Sequence, residues 1–190
     1  SFPTRRSSDL MKTSSKTQSI AMIGMFTAVL AVLSILQIPM PSGVPITLQT
    51  FAVALCGYCL GKKNGTLCVA LYLILGFVGV PVFTGMTAGI GKLFGYTGGF
   101  LYGFLFLAFF CGLGSQLKNH TVGVLVGVVG LLICHVLGAF HYSVIAATGF
   151  GPAFLLVSVP YLVKDILSVI GALVVALVIK KTLSKSGIIL

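Results

Sequence analysis

Acidic side chains are almost absent from this sequence. Among 190 residues there are two aspartates and no glutamate, against twelve lysines and arginines. Asp9 lies in a polar opening stretch, so Asp165 is the single carboxylate side chain of the remaining body. That scarcity removes any Walker-B acid. The glycine-rich segment fails as a Walker-A loop too: counted from Gly85, the sixth position is Ile90, and Lys92 is followed by Leu93. The chain does not power itself with ATP. No nucleophile motif is present, and no carboxylate stands near the histidines in sequence, so catalysis is not expected. Charge of either sign is scarce: 7% of residues are charged, 57% are hydrophobic, and mean hydropathy is +1.14. A water-facing surface needs far more charge, which excludes a soluble domain. Five cysteines is an odd number, and all lie in or beside apolar runs. They read as small buried hydrophobes, not a disulfide framework. Cys56 and Cys59 have C-x-x-C spacing, but no histidine stands near enough for a metal site.

What is there is a series of long apolar runs. A spanning helix needs about 20 apolar residues, which leaves room for five or six. The runs are continuous, unlike the alternating ten-residue segments of a membrane barrel. Residues 1–10 differ from the rest and resemble translated adapter sequence; they are set apart as a leader or disordered tail, with 11–190 as one transmembrane domain. Helices are expected at Ser19–Ile38, Leu48–Leu60, Thr66–Val78, Phe100–Leu113, Val122–Ala147 and Pro160–Ile179. Between them lie a proline-rich connection from Pro39 to Pro45, a basic turn from Gly61 to Gly65, and an irregular glycine-rich stretch from Gly79 to Gly99. Irregular backbone at membrane depth is tolerated only where it is buried in protein or lines a cavity. Ala21, Gly24, Ala28 and Ala31 form a small-residue stripe on the first helix, where another helix can approach closely.

The formal charge of +10 does not indicate nucleic acid, because the basic residues are dispersed singly or in pairs between apolar runs. They follow the positive-inside pattern instead. Six spans put Lys12, Lys16, Lys62, Lys63, Lys118, Lys180, Lys181 and Lys185 on the inner side, with both termini cytoplasmic. Lys92, Lys164 and Asp165 are left on the outer half. A charge at the bilayer centre costs roughly 2.5–3.5 kcal/mol, so such residues usually face a cavity. The trio suggests a pocket with a fixed cation and a fixed acceptor, suited to a small amphipathic anion bearing N–H donors. Lys164 and Asp165 are helical neighbours about 100° apart and are not expected to face one another. His135 and His141 read as packing or pore-facing polar residues.

Three segments are similar to the signatures of the BioY family, the biotin-binding S components of energy-coupling factor (ECF) transporters. They are Val44-Pro45-Ile46-Thr47-Leu48-Gln49-Thr50-Phe51, Gly76-Phe77-Val78-Gly79-Val80-Pro81-Val82-Phe83 and Gly95-Tyr96-Thr97-Gly98-Gly99-Phe100. The resemblance runs from about Met11 to Lys181. It implies an all-α, six-helix membrane bundle in the cytoplasmic membrane with a biotin site facing outside, no cofactor, and partnership with a coupling subunit and two ATPase subunits. The stripe of Ala21, Gly24, Ala28 and Ala31 inherits the docking of the coupling subunit. The sequence departs from the family where Tyr96 replaces a proline and where Ser168 replaces a lysine after the aspartate.

The expected site therefore holds Asp165 as acceptor of a ureido N–H and either Lys92 or Lys164 as the cation. Gln49 and Thr84 are the neutral donors, and Phe83 and Tyr96 lie against the ring system. Two alternatives stand beside this reading: a stand-alone or proton-coupled vitamin carrier, and a ligand-free assembly protein of the membrane.

Overall fold

The computed structural model describes the backbone of residues 7–185 and the side chains of residues 16–184. Residues 1–6 of the leader, and the side chains of Asp9, Lys12 and Lys185, lie outside the described residues. The architecture is all-helical apart from one minimal hairpin. Helix α1 spans Ser7–Ile35, beginning inside the stretch set apart as a leader. It ends three residues before the expected Ile38. Gln37–Ile38 instead forms β1, paired antiparallel with β2, Ile46–Thr47. Ile38 precedes Pro39, whose ring disfavours the helical region for the residue before it.

Helix α2, Gln49–Val78, is two helical arms meeting at Gly61, where φ is +75°. Only glycine adopts that backbone without steric cost. The expected five-residue turn is thus a single residue, and Lys62 to Gly65 already belong to the second arm. The arms fold back on each other: Cys56 Sγ lies 3.5 Å from Cys68 Sγ, and Gln49 meets Tyr72. The glycine-rich stretch contains a one-turn helix α3, Ile90–Leu93, and a bridge between Phe83 and Thr87. Helix α4 follows at Gly98–Gly114 and α5 at His120–Ile145, the latter capped by Asn119, whose side chain accepts from Thr121 N at 2.9 Å. A short helix that the sequence reading lacks, α6 at Phe150–Val157, precedes α7 at Val159–Lys185.

Helix α2 is central and packs against α1, α4 and α7, while α5 packs on α4, α6 and α7. Helices α4 and α5 approach closely because glycines face the partner: a Cβ on Gly103 would strike Cys134, and one on Gly114 would strike Gly123. Lys16–Ile35, His120–Ile145 and Val159–Ser184 are long and apolar enough to cross a membrane, and α4 is a shorter apolar helix. The outward surface is apolar too, with Val163 at 71% and Leu167 at 62% exposure on α7. That is the pattern of a lipid-facing surface.

The bundle has two distinct ends. The Gly61 turn lies beside Gln116, and Gly114 meets Gly123, so these connections share one end. The β1–β2 hairpin, α3 and the start of α7 gather at the other.

Candidate functional site

A cavity of about 630 Å³, including its open mouth, lies at the hairpin end. Asp165, Lys164, Lys92, Gln49, Phe83 and Thr84, all named from the sequence, line it. They come from α2, the glycine-rich stretch, α3 and α7. Tyr96 is not among the lining residues; its ring tilts against Tyr142 at a centroid distance of 5.3 Å.

Asp165 is 5% exposed. Its Oδ2 lies 3.2 Å from Nε2 of His135 on α5, a residue 2% exposed. Its Oδ1 contacts the Lys164 ammonium. The expectation that Lys164 and Asp165 do not face one another is therefore corrected: the long lysine side chain folds back along the helix and reaches the neighbouring carboxylate. At 2.5 Å it is a close charge pair, with no directed hydrogen bond on Oδ1. Lys164 Nζ donates instead to the Thr47 carbonyl at 2.9 Å. Ser168, one turn further on, donates back to the Lys164 carbonyl. Lys92 is half-buried, and among the described residues no carboxylate pairs with it.

The floor is built from local packing. Gln49 Nε2 donates to Tyr72 Oη at 2.8 Å, and the Tyr72 ring meets Phe83 edge-on at 5.5 Å. Phe83 fits because Gly76 leaves its ring the space; a Cβ there would overlap three ring carbons. The hairpin covers the cavity with Val44, Pro45 and Thr47. Tyr161 Oη donates to Val44 O and also meets Ser42 Oγ, while Tyr142 Oη donates to Ser42 O at 3.2 Å.

Sequence reasoning missed His135, Tyr161 and Phe100 as lining residues. His141 is a packing histidine, its Nε2 3.1 Å from Gly95 O. All five cysteines are buried and free. Among the described residues no cluster of histidine, cysteine or acidic side chains could hold a metal ion. The cavity thus combines a buried acceptor, a cation with no carboxylate partner among the described residues, and an apolar wall. That arrangement can hold an amphipathic anion with N–H donors and carries no catalytic constellation.

Comparison with known proteins gives a consistent result. The model of the BioY family matches residues 9–185. The biotin transporter BioY of Thermotoga maritima is 40% identical over 159 residues, covering 83% of this chain and 93% of that protein. The biotin transporter BioY2 of Lactococcus lactis subsp. cremoris is 36% identical over 174 residues, covering 90% and 95%. Among solved structures, the S-component for biotin from an ECF-type ABC transporter aligns with a TM-score of 0.79 at 26% identity, covering 88% of this chain and 93% of that one.

Proposed function

The chain belongs to the BioY family, and from that premise we propose that it captures biotin and carries it across the membrane as the S component of an ECF transporter. It is a transport subunit, not an enzyme. The observation that carries the reading is the presence, in one cavity, of a buried carboxylate and a cation, Lys92, that no carboxylate among the described residues neutralises. Biotin has matching ends: a cyclic urea that donates two N–H groups, and a carboxylate on a flexible chain. Asp165 accepts from a ureido N–H, and Lys164, already beside it, donates to the ureido oxygen. Lys92 pairs with the carboxylate as a charge-assisted contact. Phe83 provides the apolar floor, and Gln49 and Thr84 supply neutral polar groups. Tyr96 acts at one remove, by backing Tyr142 and through it the hairpin.

The two arms of α2 count as separate crossings, so the bundle crosses the cytoplasmic membrane six times. Both termini face the cytoplasm, where Lys62, Lys63, Lys118 and Lys180 gather, and the cavity opens outside. Ala21, Gly24 and Ala28 are exposed on α1, and a Cβ on Gly24 would meet nothing within 4 Å. With Ala31 they offer the coupling subunit a close helix–helix approach. Two ATPase subunits complete the assembly and supply the energy this chain lacks.

The test is thermal unfolding of the purified protein in detergent with biotin, dethiobiotin, thiamine or riboflavin. Biotin at a hundred times its Kd is expected to add about 2.7 kcal/mol of stability, with a smaller gain from dethiobiotin and none from the other two. Absence of a shift with biotin would overturn the reading. Uptake that persists without the ATPase subunits and collapses with a protonophore would replace it with a proton-coupled carrier.

A further inference from the structure

Among the described residues, the two buried side-chain polar atoms without a hydrogen-bond partner are Asp165 Oδ1 and His135 Nδ1, and both belong to one cluster on the cavity wall. A carboxylate only accepts, so the 3.2 Å contact with Oδ2 requires the hydrogen on His135 Nε2. The terminal torsion of an aspartate is soft and roughly two-fold, so an unclamped carboxylate swings freely. Lys164 holds one oxygen by charge, at 2.5 Å from Oδ1, without a directed hydrogen bond. Its side chain is 32% exposed, and its donated bond goes to Thr47 O. The directed bond comes from His135. Its ring stands edge-on to Phe100 at 5.7 Å, and its carbonyl accepts from Ser158 Oγ at 3.4 Å, which ties it to the α6–α7 junction.

We infer that His135 is a positioning residue for Asp165, its Nε2–H fixing Oδ2 so that Oδ1 is held for an N–H donor of the ligand. Lys164 neutralises the carboxylate, and His135 aims it. The site's preference for a ring that donates N–H thus depends on a histidine on a different helix from the carboxylate. This inference rests on the biotin reading above.

The experiment measures the affinities of the full chain for biotin and for biotin methylated on its ureido nitrogens, and takes their ratio. His135→Gln places an amide N–H near the position of Nε2, whereas His135→Asn reaches only to that of Nδ1. We expect His135→Gln to keep a ratio close to wild type, and His135→Asn and His135→Leu to compress it about tenfold, the worth of one hydrogen bond to a charged group. A merely structural histidine would weaken both ligands alike and leave the ratio unchanged, and that result would overturn the inference. Equal ratios for the Gln and Asn variants would do the same, even if the Leu variant fails to fold. Wild-type protein that does not bind biotin removes the functional reading and this inference together. Biotin binding with a ratio indifferent to residue 135 removes this inference alone.

Discussion

At the cavity end of the bundle, Lys92 and Lys164 are half-buried, and Lys164 is engaged by Asp165 and the Thr47 carbonyl. At the opposite end, Lys63 and Lys118 are exposed, and among the described residues no carboxylate meets them. The same side chain does two jobs. Half-buried beside a carboxylate or an apolar wall, its charge is less screened and, in the proposed reading, is available to an anion in the cavity. Exposed at the far end the same charge is screened and, in the proposed topology, bears only on orientation in the membrane. Net charge alone, +10 for this chain, does not distinguish these roles.

The strongest way to test the contrast is Asp165→Ala. Truncating one partner of a buried, hydrogen-bonded charged contact costs about 2 kcal/mol or more of binding, so biotin affinity is expected to fall by at least about thirtyfold in isothermal titration. An affinity near the wild-type value would erase the distinction between the ends. Next comes Gly76→Ala, which forces a methyl into the Phe83 ring and is expected to cost about 1–3 kcal/mol of thermal stability. An unchanged melting temperature would show that the cavity floor yields. Lys92→Met sharpens the comparison chemically: we expect about a tenfold loss for biotin and almost none for its uncharged amide. Equal losses for acid and amide would move the carboxylate away from Lys92. The smallest effect belongs to the far end, where Lys63→Gln and Lys118→Gln are expected to change affinity by less than about twofold. A loss there as large as that of Lys92→Met would mean the two ends are coupled through the bundle.

Much of the helical frame was legible because apolar runs bounded by glycine, proline and lysine carry their own limits. The misreadings share a cause, the treatment of glycine and proline as breakers wherever they occur. Gly61 to Gly65 looked like a loop, yet only Gly61 leaves the helix. No helix was expected between Ala147 and Pro160, yet Gly149, Gly151 and Pro152 open α6, where the first-turn N–H groups have no intrahelical acceptor and proline is tolerated. In the site, Asp165 was conspicuous as the lone carboxylate, and Lys92 as a charge that topology did not need. Phe83 and Gln49 came through the motifs they sit in, and Thr84 as the residue that follows one of them. His135 carried no such signal. It lies mid-helix on α5, its partner is on α7, and only tertiary packing brings them to 3.2 Å. Tyr96 had the opposite fate: its motif pointed to the cavity, but its ring settled on Tyr142.

The hairpin over the cavity is fastened chiefly through its main chain. Tyr142 takes the carbonyl of Ser42, Tyr161 that of Val44, and Lys164 that of Thr47. Each of these anchors belongs to α5 or α7, and each reads an atom that every amino acid possesses. The course of the cover is therefore set from beneath: a change at Tyr142, Tyr161 or Lys164 releases main chain, whereas an exchange of a side chain on its outer edge leaves these three bonds in place.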